Sequence, residues 1–333
     1  MKFRRLLWPL SLAYGAGQRI DRLAKLSGAY RSRLPVISIG NLSVGGSGKT
    51  PLALYLVERL QREYGILVLT RGYRRESAGT VLWRAGESLP DYQSVGDEPA
   101  LIAMHLKRGA MGVASDRASL LRSIEGEFTG HIVLLDDGFQ HYRMARDLDI
   151  VIVDDRTVEN AGLLPAGDLR EPPSALRRAH IILATSTRAK EFAYRWRSES
   201  AMVLGMRTYL KAIVRWNDGR RYDGNAALLV TGIARSERVP AGLGEQGRAV
   251  VGHLRYPDHH QYSRSDVAHM LAEMRRSGGE IILTTAKDAV KLSTFGELAE
   301  LLYVIEIDII IDREDRMFEA IESVVTGGFT YNL

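Results

Sequence analysis

Residues 36–60 read as a buried strand, a glycine loop and a helix in unbroken succession, and that order leaves few folds open. Val36-Ile37-Ser38-Ile39-Gly40 is an apolar run of strand length. Asn41-Leu42-Ser43-Val44-Gly45-Gly46-Ser47-Gly48-Lys49-Thr50-Pro51 follows, and Leu52, Leu56 and Leu60 then recur at helical spacing. In such a unit glycines let backbone N–H groups turn inward around phosphate oxygens, and the helix N-terminus adds the positive end of its dipole. Lys49 then reaches the β- and γ-phosphates, and Thr50 can hold Mg²⁺. The expected nucleotide-binding residues are Ser43, Val44, Gly45, Gly46, Ser47, Gly48, Lys49, Thr50 and Pro51. Ser43 stands where the general pattern G-x-x-x-x-G-K-[ST] has its first glycine. The competing reading is a glycine-rich turn closing a strand, but the flanking strand and helix favour a phosphate loop.

Short apolar runs continue to alternate with helix-like stretches, which implies a parallel sheet covered by helices. Strands are expected at Val36–Gly40, Ile66–Thr70, Gly112–Ala114, Ile132–Leu135, Leu148–Val153 and Ile181–Ala184, with helices after Gly48, Pro99 and Asp116. Trp216-Asn217-Asp218-Gly219 reads as a hairpin turn between two strand-like pieces. Beyond it come strands near Leu228–Thr231, Ile281–Thr284 and Tyr303–Ile311 and a helix through Asp266–Arg276. The expected fold class is therefore α/β: a P-loop NTPase-type parallel-sheet domain over 34–200, a two-stranded linker over 201–225, and a second, smaller α/β domain over 226–333. A chain of 333 residues is long enough for both.

Residues 1–33 are set apart by Lys2, Arg4 and Arg5 followed by Leu6-Leu7-Trp8-Pro9-Leu10-Ser11-Leu12-Ala13-Tyr14. The apolar run is about half the roughly 20 residues a spanning helix needs. It suits an amphipathic segment lying at a membrane surface, its basic flank on anionic headgroups. The alternative is a helix docked on its own domain. A net charge of +5 fits any polyanionic partner, but a nucleic-acid binder would leave the phosphate loop and the acidic clusters without purpose. The absence of cysteine excludes disulfides and thiolate chemistry.

A phosphate loop needs a carboxylate for its metal, normally at the end of a neighbouring apolar strand. Asp136-Asp137 and Asp154-Asp155 both qualify. The first pair is preferred, because the polar turn Gly138-Phe139-Gln140-His141 follows it. Gly96-Asp97-Glu98-Pro99 reads by spacing as a helix start with Asp97 as N-cap. Two adjacent carboxylates there could also orient an acceptor hydroxyl and a metal.

These motifs, taken in order, resemble the tetraacyldisaccharide 4'-kinases, the lipid A kinases of Gram-negative bacteria. The resemblance rests on seven segments: Gly40–Pro51, Thr70–Tyr73, Gly96–Pro99, Asp136–Arg143, Leu164–Glu171, Pro257–His260 and Thr284–Leu292. Serine or threonine at the position of Ser43 is usual in that family. The resemblance implies transfer of the ATP γ-phosphate to the 4'-hydroxyl of a tetraacylated disaccharide 1-phosphate, by an enzyme peripheral to the cytoplasmic face of the inner membrane. It further implies Asp97 as the base, assisted by His259 or His260, with the adjacency to Asp258 favouring His259. Thr50, Asp136 and Glu98 would serve Mg²⁺, and Lys49 and Asp137 would join the catalytic group. Arg117, Gln140, His141, Arg170, Glu171 and Tyr73 would line the substrate side.

The main alternative is a membrane-associated regulatory ATPase of the ParA/MinD type, which carries a signature lysine before the paired glycines. Here that position is Val44. A GTPase would need an N/T-K-x-D motif after a later strand, and Ala184-Thr185-Ser186 lacks it.

Overall fold

The computed structural model describes residues 7–73, 75, 79–234, 236–245 and 247–327. The basic flank expected at Lys2, Arg4 and Arg5 lies outside them. The strands are β1 (Val36–Asn41), β2 (Gly65–Thr70), β3 (Val81–Arg84), β4 (Gly109–Val113), β5 (His131–Asp136), β6 (Leu148–Val153), β7 (Ile181–Ala184), β8 (Met202–Arg215), β9 (Ala227–Thr231), β10 (Val250–Arg255), β11 (Ile281–Thr285) and β12 (Leu302–Ile311). They form one sheet in the order β10-β9-β11-β12-β8-β7-β6-β1-β5-β2-β4-β3.

Strands β4, β2, β5, β1, β6 and β7 run parallel, and β1, β2 and β6 are buried at every position. Their unbroken apolar sequences follow from that double coverage. On one face Leu52 and Leu56 of the Lys49–Leu60 helix and Leu101 and Ile102 of the Asp97–His105 helix share a core with Ile37, Ile66 and Leu134. Met317 and Ile321 of the C-terminal Glu314–Val325 helix join that same core, although a linear division at residue 226 places them in the smaller half. Because β1 lies between β5 and β6, the chain leaves its carboxyl end into a crevice of the kind where α/β sheets bind ligand.

The two halves meet on β8. Its first residues, Met202–Gly205, pair parallel with β7, and Met206–Arg215 pair antiparallel with Ile311–Tyr303 of β12. The turn expected at Trp216–Gly219 is present, with Gly219 at φ 73°, but its return arm makes only the Val214–Arg221 bridge. The second strand of the connection is thus β12, some 90 residues further on. The helix at Asp97 also starts differently from expectation. Gly96, at φ 99° and ψ 158°, is the N-cap and Asp97 is the first helical residue. Only glycine adopts that backbone readily, and Asp97, no longer the cap, accepts through Oδ1 from Glu98 N at 2.9 Å.

Candidate active site

The phosphate loop closes one end of a cleft of about 1600 Å³ between the halves. Gly45 and Gly48 hold φ values of 92° and 90°, which a side chain would strain. Behind the loop, Val44 N donates to Asp168 O at 2.9 Å and Arg170 N donates to Leu42 O at 2.8 Å. Asp168 in turn accepts from Arg156 Nε at 2.8 Å and Asn160 Nδ2 at 3.1 Å, so the Leu164–Glu171 segment braces the loop. Ser43 belongs to that brace: it is buried, bridges to Leu169, and its hydroxyl accepts from Thr157 Oγ1 at 3.3 Å. Lys49 Nζ donates to Asn41 Oδ1 at 3.0 Å and faces Asp137 Oδ1 at 3.4 Å. Ser47 Oγ is buried with no hydrogen-bond partner among the described residues.

At the end of β5, Asp136 Oδ2 accepts from Thr70 Oγ1 at 3.1 Å. Burial, with Glu98 and Asp137 nearby, pushes its carboxyl up to about 6 against the pull of Lys49 and Thr70. Asp137, at φ 47°, is half-buried, and Lys49, Arg170 and Arg117 outweigh its desolvation and hold it down at about 2. Arg170 reaches its Oδ2 at 2.7 Å. Asp154, by contrast, caps the Asp155–Glu159 helix by accepting from Thr157 N at 3.0 Å, a structural task.

Across the cleft stands His259, at φ 61°, whose Nδ1 lies 2.9 Å from Asp97 Oδ2. His260 turns away to Asp266 Oδ2 at 3.2 Å, so the geometry separates the two histidines. Burial opposes ionisation of Asp97, yet His259, Lys287 and Lys291 together lower its pKa. The hydrogen bond to Asp97 raises that of His259 against burial. Glu98 pairs with Lys287.

The other expected substrate residues divide. Arg170, Gln140, His141 and Tyr73 line the cleft, and the Tyr73 ring lies 5.9 Å from that of His259. Gln140 donates through Nε2 to Asn41 O at 2.9 Å. Burial and Arg117 drive His141 down to about 3, leaving it a neutral imidazole. Arg117 is buried at the cleft wall and donates to Asp136 O at 2.7 Å, shaping the Asp136-Asp137 turn. Glu171 is not in the cleft: it is buried against Arg178 at 2.8 Å, whose guanidinium stacks on Phe139. An acidic side chain next to a site arginine reads in sequence as a ligand, but here the adjacent residues Arg170 and Glu171 face opposite ways. Sequence reasoning missed Asn41, Thr70, Lys287 and Lys291 as site residues. Lys287 and Lys291 lie in the Thr284–Leu292 match, whose paired lysines were the available signal.

Among the described residues no cluster of three or more His, Cys, Asp or Glu could hold a metal by itself. Thr50, Asp136 and Glu98 offer hard oxygens, which suits Mg²⁺ completed by phosphate and water rather than an all-protein cage. The raised Asp136 beside Glu98 and Asp137 marks crowded negative charge that a cation would relieve.

The Trp8–Leu26 helix lies along the same cleft, to which it contributes Tyr14, Gln18 and Lys25. Ser11 docks it, its hydroxyl donating to Leu163 O at 2.9 Å and accepting from Ala166 N at 3.0 Å. Trp8, Leu12, Ile20 and Leu23 on its outer face are more than half exposed. No described helix is long and apolar enough to cross a membrane.

The profile of one family, tetraacyldisaccharide-1-P 4'-kinase, matches residues 3–326. Sequences named tetraacyldisaccharide 4'-kinase are similar over most of the chain. That of Aromatoleum aromaticum is 34% identical, covering 95% of this chain and 93% of its own. That of Koribacter versatilis is 33% identical, covering 95% and 98%. In structure the chain is similar to the "apo" form of LpxK from Aquifex aeolicus in complex with ATP, with a TM-score of 0.79, 27% identity, and coverage of 97% of this chain and 99% of that one.

Proposed function

The chain belongs to the tetraacyldisaccharide-1-P 4'-kinase family, and on that footing we propose how its residues carry out the reaction. The protein is a kinase of lipid A biosynthesis that transfers the γ-phosphate of ATP to the 4'-hydroxyl of the tetraacyldisaccharide 1-phosphate. A regulatory ATPase finds no support in these relatives, all named as kinases.

The 2.9 Å contact of Asp97 with His259, in the same cleft as Lys49, carries the mechanistic reading. Lys49 and the loop N–H groups cradle the triphosphate, and Lys49 exchanges Asn41 and Asp137 for phosphate oxygens. Thr50, Asp136 and Glu98 would hold Mg²⁺, which neutralises charge on the phosphates when bound. Asp97 accepts the proton of the attacking hydroxyl, while His259 fixes the carboxylate and shares that proton. A carboxylate of lowered pKa is a weak base, and this suits a loose phosphoryl transfer in which positioning outweighs early proton removal. Asp137 holds Lys49 until the nucleotide enters and keeps Arg170 in register through their 2.7 Å contact. Arg170, Gln140, His141 and Tyr73 meet the glycolipid headgroup, with Arg117 shaping their wall.

A substrate with four acyl chains leaves a bilayer only at about 0.8 kcal/mol per CH₂, so the enzyme must work at the surface. The outer face of the Trp8–Leu26 helix supports docking on the anionic cytoplasmic face of the inner membrane, with the cleft opening beside it. A reaction of labelled ATP with the acylated disaccharide monophosphate, resolved by thin-layer chromatography, tests the assignment. Label in the lipid that vanishes in Asp97→Ala supports it, and undiminished labelling by that variant removes the assigned base.

A further inference from the structure

Lys291 has no task in this scheme beyond its charge near Asp97, yet it is fully buried. On the Ala286–Leu292 helix it is 2% exposed, and its Nζ lies 3.2 Å from Asp288 Oδ1 and 3.8 Å from Asp97 Oδ2. Asp288 is buried as well. Lys287 of the same helix lines the cleft, whereas Asp288 and Lys291 stand behind it. A buried ammonium forfeits hydration and persists only where carboxylates face it, and an apolar residue would fill the space at lower cost. The charge therefore needs a task other than packing.

Contacts around the pair close into a ring. Asp288 Oδ2 accepts from Gly232 N at 2.9 Å, and Gly232 O accepts from His259 N at 3.0 Å. His259 Nδ1 meets Asp97 Oδ2, and Asp97 returns to Lys291. His259 sits in left-handed backbone that non-glycine residues seldom adopt, so its bond to Gly232 holds the conformation that aims the imidazole. Gly232 lies so close to this pair that a side chain there would not fit: a Cβ would stand 2.9 Å from both Asp288 Oδ1 and Tyr262 Oη. Every member of the ring except Asp97 comes from the smaller half.

We infer that Lys291 and Asp288 are positioning residues for phosphate transfer. They orient His259 through the Gly232 backbone and fix the Asp97 carboxylate against it, so that contact between the halves assembles the proton-accepting pair. The inference rests on the assignment of Asp97 and His259 to that pair.

The test uses the full chain as wild type, Lys291→Met and Asp288→Asn, each alone and combined with His259→Ala, with Asp97→Ala alongside. Steady-state transfer to the acylated disaccharide monophosphate and equilibrium MgATP binding are measured for each. Both single variants should lose about 10- to 100-fold in kcat, the scale of a small misplacement at a reacting group, while KM for ATP stays near wild type. Added to His259→Ala, Asp288→Asn should cost little more, because its effect runs through His259, whereas Lys291→Met keeps the further loss that its own contact with Asp97 carries. Should Lys291→Met fail to fold, Asp288→Asn carries the same test with volume unchanged. Wild-type kcat, an Asp288→Asn loss that multiplies with that of His259→Ala, or a folding defect in both single variants overturns the inference. Undiminished turnover in Asp97→Ala and His259→Ala would instead sink the underlying assignment, an outcome distinguishable from these.

Discussion

Asp97 Oδ2 lies 2.9 Å from His259 Nδ1, although 162 residues separate them in sequence and they belong to different halves of the molecule. Two side chains sharing one proton act as a unit, so their deletions should not add. Asp97→Ala and His259→Ala are each expected to lower kcat by about 10²- to 10⁴-fold, the usual worth of a positioned base. The double variant should fall little below the worse single one. Rates in a full double-mutant cycle decide it, and simple multiplication of the two losses would mean independent roles.

Lys49 Nζ sits between Asn41 Oδ1 at 3.0 Å and Asp137 Oδ1 at 3.4 Å. Lys49→Ala is predicted to cost at least about 10²-fold in kcat, as loss of charge stabilisation on a transferred group does. Circular dichroism should show an unchanged fold, because removing this cation leaves the apolar core intact.

Gly45 offers a backbone test of the loop. At φ 92°, with Arg156 Nη1 2.5 Å from where a Cβ would stand, Gly45→Ala should lower the thermal midpoint by the equivalent of about 1–3 kcal/mol. Gly46 has nothing within 4 Å of its Cβ position and no left-handed φ, so Gly46→Ala should leave the midpoint nearly unchanged. Calorimetry of the pair checks the contrast.

The outer face of the Trp8–Leu26 helix predicts membrane affinity. Replacing Trp8, Leu12 and Leu23 by Asp should reduce co-sedimentation with anionic vesicles at least tenfold, since burying a single large apolar side chain is worth about 1.5–3 kcal/mol. MgATP binding should persist. Unchanged sedimentation would leave the helix as a docked wall of the cleft.

His180 gives a pH signature of stability. Its Nδ1 accepts from Asp149 N at 2.8 Å, and burial lowers its pKa despite the nearby Asp149. The fold thus favours the neutral ring, so its contribution is complete above the unfolded value of about 6.5 and declines as pH falls below it. His180→Asn, which keeps an acceptor but cannot titrate, should flatten that part of the acid decline in thermal midpoint. A slope identical to wild type would show that His180 does not contribute to it.

Much of the parallel sheet was legible because doubly covered strands must be apolar throughout: β6 and β7 match expectation to the residue. The phosphate loop was legible because strand, glycines, cation and helix are contiguous. Strand β3 escaped, being short, at the sheet edge and only partly buried, and β10 escaped because Gly252 and a mixed burial pattern interrupt it. The pairing of β8 with β12 could not be read, since local turn chemistry at Trp216–Gly219 points to a hairpin and says nothing of a strand 90 residues away. Capping preference pointed to Asp97, but glycine's access to φ 99° gave the cap to Gly96. Lys287 and Lys291 remained without roles because their partners, Glu98 and Asp97, are brought to them only by tertiary structure.

Phosphate transfer itself is most directly tested by ³¹P NMR of the lipid recovered after incubation with MgATP and the acylated disaccharide 1-phosphate. A second phosphomonoester on the 4'-oxygen, formed by wild type and absent with Lys49→Ala, is the predicted result. Nucleotide hydrolysis with the lipid left monophosphorylated would contradict it.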